Sequence, residues 1–253
     1  MRNSVGGGVL ERAARLLEAF REGGPELTLS ELVARSEVPR ATAHRLAGQL
    51  VALGFLERSR RGWRLGTALF ELGQIVPRQQ RLRELALPYM EDLYEATKET
   101  VQLGVLDQGE VLYVEIIAGH RRVSTPSRRG GRMPAHCTGL GKALLAFSPD
   151  VGREWLAAQP PLMARTPSTI IDPARLAREL QDVRRAGVAF DREEARVGLV
   201  CLAAPILGRD GVARAALSVS MPTGGRISPA QVAPAVVTGA RAVSRELARA
   251  PGP

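Results

Sequence analysis

The stretch "SEVPRATAHRLAGQLVALGFLERSRRGWRLG" (36–66) constrains this chain more than any other. It runs an apolar-striped helix straight into a short hairpin whose tip is crowded with Arg58, Arg60, Arg61 and Arg64. A folded core accounts for the leucines. It does not account for four arginines within seven residues.

The flanking sequence supplies the rest of a small domain. Val9, Leu10, Ala13, Leu16, Leu17 and Phe20 recur at helical spacing and predict a first amphipathic helix, stopped by "EGGPE". "TLSE" reads as a capping box in which Thr28 accepts from the first turn and Glu31 reaches back. The short helix it opens ends near Arg35 or Ser36. Pro39 suits the first turn of a third helix, which runs to about Leu53 with Gly54 as its stop. "FLER" and "GWRLG" are then two strands around the arginine tip. That order predicts a winged helix-turn-helix over 1–66.

On the third helix, Ala43, Leu46, Leu50 and Leu53 share one face and are expected in the core. The opposite face carries Ala41, His44, Arg45 and Gly48, with Arg40 beside it. From Arg40 to Arg64 there are six arginines against one acid, Glu57. Such a strip suits a polyanion: Arg45 can bridge guanine in a major groove, Thr42 and the helix start can hold a phosphate, and the wing arginines can meet the adjacent backbone. The residues expected at DNA are Thr28, Arg40, Ala41, Thr42, His44, Arg45, Arg58, Arg60 and Arg61. A solvated basic face, or a winged helix that binds protein, is the plainer alternative.

The 253 residues exceed what this domain needs, and the formal charge of +9 comes from 33 Arg and 2 Lys against 26 acids. "TALFELGQIVPRQQRLRELALPYMEDLYEATKE" is read as a linker helix over 67–81 and then a helix of the next domain, with breaks at Pro77 and Pro88. From Thr100 onward hairpins alternate with helices. "TVQLGVLDQGEVLYVEIIA" turns at Gln108-Gly109, residues 119–136 read as a polar loop, and "TGLGKALLAF" is a helix. A helix capped by Asp172 and Pro173 follows, then a second hairpin about "GRDG" and a final helix over about 229–250. The expected class is α+β, with an N-terminal winged helix-turn-helix and a C-terminal α+β domain over 82–253.

Charge interrupts "MRNSVGGGVLERAARLL", so it does not read as a secretory signal, and no apolar run nears the ~20 residues of a membrane span. A cytoplasmic protein is expected. Cys137 and Cys201 lie far apart with no CxxC, and His44, His120 and His136 are scattered, so no metal and no cofactor are expected. "GLGK" lacks the spacing of a phosphate-binding loop. A thiol hydrolase built on Cys201, His136 and Asp191 is conceivable, but "VCLAA" buries the thiol in an apolar strand. A purely architectural DNA binder would leave the second domain without a use.

Three ordered motifs carry a resemblance over essentially the whole chain: "LSELVARSEVPRATAHRLAGQLVALGFLERSRRGWRLG", "PAHCTGLGKALLA" and "FDREEARVGLVCLAAPILGRDGVARAALSVSMP". The sequence resembles the IclR family of bacterial transcriptional regulators. Ala41 stands where a serine is usual, Gly139 where an alanine is, and Trp63 where tyrosine is common. The resemblance implies a regulator, not an enzyme, with a GAF-like effector domain that takes a small organic acid or aromatic metabolite. It places Gly139, Leu140, Asp191, Cys201, Ser218 and Ser220 around that ligand. It also implies a homodimer or homotetramer on a pseudo-palindromic duplex; repression and activation both fit the residues. Asp191 beside a bound carboxylate must be protonated or accept from a ligand hydroxyl, which favours a ligand bearing both groups.

Overall fold

A computed structural model describes residues 8–119, 127–158 and 162–249. His120 and the stretch 120–126 of the expected polar loop lie outside them. The chain forms two compact units, Met1–Gln80 and Arg81–Pro253.

The first unit contains α1 (Val9–Glu18), α2 (Phe20–Gly23), β1 (Glu26–Leu27), α3 (Leu29–Ser36), α4 (Arg40–Ala52), β2 (Leu56–Arg58), β3 (Trp63–Leu65) and α5 (Thr67–Gln74). The capping box forms: Thr28 Oγ1 accepts from the Glu31 amide at 3.2 Å, and the Thr28 amide donates to Glu31 Oε2 at 2.8 Å. Pro39 is the residue just before α4, and Gly54 at φ +74° lets the chain turn back into β2. Leu16, Leu27, Leu32, Ala43, Leu46, Leu50 and Trp63 form the core.

Three expectations need correcting. The wing is three-stranded, ordered β1-β3-β2, because Glu26 and Leu27 pair with Arg64 and Trp63. Leu53 is 64% exposed: α4 ends one residue earlier, and the turn at Gly54 swings Leu53 off the buried stripe, where Ala47 completes the face. Val9 and Leu10 are exposed too, since α1 meets the core only from its second half.

The second unit is built on one antiparallel sheet ordered β6-β5-β4-β9-β8-β7. Its elements are α6 (Pro77–Thr97), β4 (Thr100–Asp107), β5 (Glu110–Ile117), β6 (Arg132–Pro134), α7 (Gly139–Ala146), α8 (Pro149–Ala157), α9 (Pro173–Ala186), β7 (Ala189–Arg192), β8 (Leu199–Leu207), β9 (Ala213–Pro222) and α10 (Pro229–Arg249). Both faces of the sheet are covered. Leu82, Ala86, Met90 and Leu93 of α6 join Val232, Val236 and Val243 of α10 against Leu103, Leu202 and Leu217. On the other face, Leu140, Ala143 and Leu144 of α7 and Leu176 and Leu180 of α9 meet Val111, Tyr113, Ala203 and Ala216. Strands buried on two faces read as the near-continuous apolar runs seen in β8 and β9.

Pro77 starts a helix as expected, but Pro88 does not break it: α6 continues to Thr97. An interior proline costs about 3 kcal/mol. Burial of the row Leu82, Ala86, Met90 and Leu93 on either side of it offsets that cost. The polar loop also contains a short edge strand, β6, paired with β5, and neither α8 nor β7 is signalled by the sequence pattern. The Gln108-Gly109 turn forms with both residues at positive φ, as a two-residue hairpin requires.

Candidate functional site

In the first unit, Ala41, His44 and Arg45 lie exposed along α4, with Thr42 and Gly48 half-buried between them. Apart from the helix's own backbone and its chain neighbours, a Cβ at Gly48 would meet no atom of the described residues within 4 Å, so this part of the helix is open to a close neighbour. Arg40 reaches Ser30 Oγ at 3.4 Å and Arg45 reaches Gln49 Oε1 at 3.4 Å. The wing is tied to the helix through a buried ring. Arg58 stacks over Trp63 at 4.5 Å, and His44 meets the same ring edge-on at 6.0 Å. Arg61 pairs with Glu31 at 3.3 Å and Arg64 with Glu57 at 2.7 Å. Exposed pairs of this kind contribute about 0–1 kcal/mol, so a phosphate can compete for either arginine. Arg60 is exposed and makes no ion pair among the described residues. Thr28 sits at the start of α3 with its hydroxyl oxygen in the capping box.

In the second unit, one cavity brings together all six residues expected at the effector: Gly139, Leu140, Asp191, Cys201, Ser218 and Ser220. Sheet register does most of this. Asp191 pairs with Cys201 across β7 and β8, and Cys201 with Ser220 across β8 and β9. Ser218 and Ser220 point the same way, and both donate to Gln102 Oε1, at 3.2 and 3.0 Å. Ser220 also contacts Cys201 Sγ at 2.9 Å. The first turn of α7 closes one end, its cap Thr138 accepting from the Gly141 amide at 3.0 Å. Gln102, Tyr113, Ser127 and Thr138 line the cavity as well and were not anticipated. Gln102 had a visible signal: it is the one polar residue within the apolar run of β4, and it pairs with Ser218.

Most of the polar side chains of the cavity are deeply buried. Asp191 is 1% exposed. Its Oδ1 accepts from the amides of Glu194 and Ala195 at 2.7 and 3.3 Å, while Oδ2 is buried with no partner among the described residues. Burial pushes its carboxyl up to about 6, with the neighbouring Glu194 charge adding to the rise against the two amides. Burial likewise holds the Cys201 thiol well above its ordinary range, which keeps it un-ionised. His136 hydrogen-bonds to the Met163 carbonyl at 3.1 Å rather than to a thiol. Among the described residues no His, Cys, Asp and Glu cluster is arranged for a metal ion, and no helix is long and apolar enough to cross a membrane.

Residues 9–60 match the IclR helix-turn-helix domain, and residues 75–249 match the bacterial transcriptional regulator IclR C-terminal domain. The chain belongs to the IclR family. It is 34% identical to the HTH-type transcriptional regulator BhcR of Paracoccus denitrificans over 85% of this chain and 77% of that one. It is 32% identical to the transcriptional repressor IclR of Escherichia coli over 84% and 79%. An IclR homolog from Microbacterium hydrocarbonoxydans, solved as a complex with 4-hydroxybenzoate, superposes with a TM-score of 0.86 at 34% identity, covering 95% of this chain and 99% of that one. This IclR-family chain is therefore a transcriptional regulator in which a winged helix-turn-helix binds DNA under the control of a small-molecule effector domain.

Proposed function

We propose that α4 enters the major groove of a pseudo-palindromic operator, with Arg45 and His44 at base edges and Arg40, Thr42, Thr28, Arg58, Arg60 and Arg61 on phosphates. Residues 67–81 serve as the connection between the DNA-binding part and the effector domain. Two or four copies bind together in the cytoplasm, and the chain's role is regulatory rather than catalytic. Phe70 and Leu72 of α5 and Ile75 just after it, exposed by 69%, 51% and 68% in the single chain, support an assembly that covers them.

The observation that carries the ligand reading is the convergence of Asp191, Cys201, Ser218 and Ser220 on the first turn of α7. The proposed effector is a small, hydroxylated organic acid, aromatic in the favoured case. Its carboxylate suits the amides of Gly139 and Leu140 and the serine hydroxyls. Its hydroxyl suits the unpartnered oxygen of Asp191, and Tyr113 and Leu140 give it apolar walls. The 4-hydroxybenzoate bound by the Microbacterium homolog carries both groups.

Selection of duplexes from a random pool, at near-physiological salt and with or without 4-hydroxybenzoate, tests this reading. Recovery of an inverted repeat supports it. A pool that stays random under both conditions overturns it.

A further inference from the structure

Lys142 is wholly buried, its side chain 0% exposed, one turn into the helix that closes the cavity, yet it does not line the cavity. A buried ammonium is costly unless paired and hydrogen-bonded. Its Nζ lies 2.7 Å from Glu194 Oε1 and 3.1 Å from Glu179 Oε1 of α9. Glu194 is itself buried, in the turn that joins β7 to β8. That turn carries the cavity residue Ala195 and directly follows another, Asp191 on β7.

The turn is gripped from several sides. Glu194 Oε1 also accepts from the Arg192 amide at 3.3 Å. The Thr169 hydroxyl donates to the Glu194 carbonyl at 2.7 Å, and the Thr166 hydroxyl to the Glu193 carbonyl at 2.7 Å. The amides freed by this conformation, those of Glu194 and Ala195, both point at Asp191 Oδ1. The other Asp191 oxygen is buried with no hydrogen-bond partner among the described residues, and Asp191 lines the cavity. The grip on Glu194 is thus also a grip on the direction of a carboxylate.

We propose that Lys142 is a positioning residue of the ligand site: through Glu194 it sets the turn that aims one Asp191 oxygen at the cavity as a hydrogen-bond acceptor. The ligand class this selects carries a hydroxyl or another neutral donor at that point, and an acid lacking one is disfavoured by the unpaired carboxylate. This last clause rests on the cavity being the effector site. The role of Lys142 in setting the turn does not.

The test uses the full chain and amide hydrogen exchange, which needs no ligand. In Lys142→Met, the Glu194 and Ala195 amides are expected to exchange about tenfold faster or more, while β8 and β9 keep their protection. The double variant Lys142→Met with Glu194→Leu removes both buried charges, so it restores overall stability if Lys142→Met folds poorly. Its turn amides are still expected to exchange fast. Unchanged turn amides in either folded variant overturn the proposal, as does acceleration spread evenly over the sheet or full recovery in the double variant. Binding of 4-hydroxybenzoate against benzoate, measured by calorimetry on the unaltered chain, addresses the cavity separately. Preference for the hydroxylated probe supports the ligand class, and equal binding or none overturns it without touching the exchange result.

Discussion

The His44 ring meets the Trp63 ring edge-on, with centroids 6.0 Å apart, and so joins the exposed face of α4 to the wing. Trp63 is 4% exposed and carries Arg58 on its face. Its Nε1 has no partner among the described residues, so phenylalanine in its place loses packing volume but no hydrogen bond. Trp63→Phe is expected to cost about 1–2 kcal/mol and Trp63→Ala about 3–5 kcal/mol, read from urea unfolding. In Trp63→Phe, specific DNA affinity falls by more than stability alone explains, because Arg58 loses part of its stacking surface. Equal DNA affinity in a folded Trp63→Phe chain would show that the ring does not organise the wing.

Arg45 and Arg60 separate base reading from charge. Arg45→Ala is expected to weaken operator binding by about 1–3 kcal/mol and to relax the preference at one base position. Arg60→Ala weakens all duplexes alike and lowers the slope of log affinity against log salt by about 1. Binding titrations on matched and mismatched duplexes over a salt series distinguish the two. The same behaviour from both variants would remove Arg45 from readout.

Much of this frame is legible in the chain itself, where the signal is local. The capping box at Thr28 and Glu31, the stop at Gly54, the Gln108-Gly109 turn and the Asp172-Pro173 start each lie within four residues of sequence. What escapes is decided by partners distant in sequence. β1 is two residues long and exists only because Trp63 and Arg64 lie beside it. Nothing local to Lys142 signals its partners Glu179 and Glu194, which come from 37 and 52 positions away. Gln102 joins the cavity through Ser218 and Ser220, more than a hundred positions on. The six effector residues were placed through the family resemblance; on pattern alone Ser218, Ser220 and Cys201 pass as small residues of a tight sheet.

Asp191 gives the effector domain a pH dependence of defined sign. Its folded-state carboxyl is pushed up to about 6 from an ordinary 3.8, so the native state holds the proton more tightly than the unfolded chain. Stability from this group is present at low pH and is lost as pH rises from about 4 through about 6, a change of roughly 3 kcal/mol. Asp191→Asn keeps the shape and the acceptor for the two amides but cannot titrate. Denaturant unfolding at pH 4 to 7 is expected to show the unaltered chain losing stability relative to the variant as pH rises. Parallel curves would mean that Asp191 stays ionised throughout.

Ser220→Ala with Cys201→Val removes a donor to Gln102 and the thiol at the cavity wall, leaving Ser218 on Gln102. The pair sits in the second unit, and the expected stability cost is about 1–2 kcal/mol. DNA binding without ligand is expected to persist while the ligand response disappears. A retained response, read as the shift in operator affinity on adding 4-hydroxybenzoate, would place the ligand elsewhere.

The two glycines of "GLGK" face opposite demands. A Cβ on Gly141 would lie 2.1 Å from the Ala135 carbonyl oxygen, a backbone atom that cannot step aside without moving the turn before α7. A Cβ on Gly139 would find Ala203 at 3.5 Å, ordinary contact. Gly141→Ala is therefore expected to destabilise the effector domain by about 3 kcal/mol through overpacking. Gly139→Ala is expected to be neutral, or to stabilise α7 by up to about 1 kcal/mol through helix propensity. Its methyl would sit at the cavity wall, near the Cys201 carbonyl, without removing the amide that a ligand carboxylate would use. Thermal unfolding of both variants decides the matter: equal melting temperatures would mean that the turn at Ala135 yields, and that the glycine at 141 is not there for close approach.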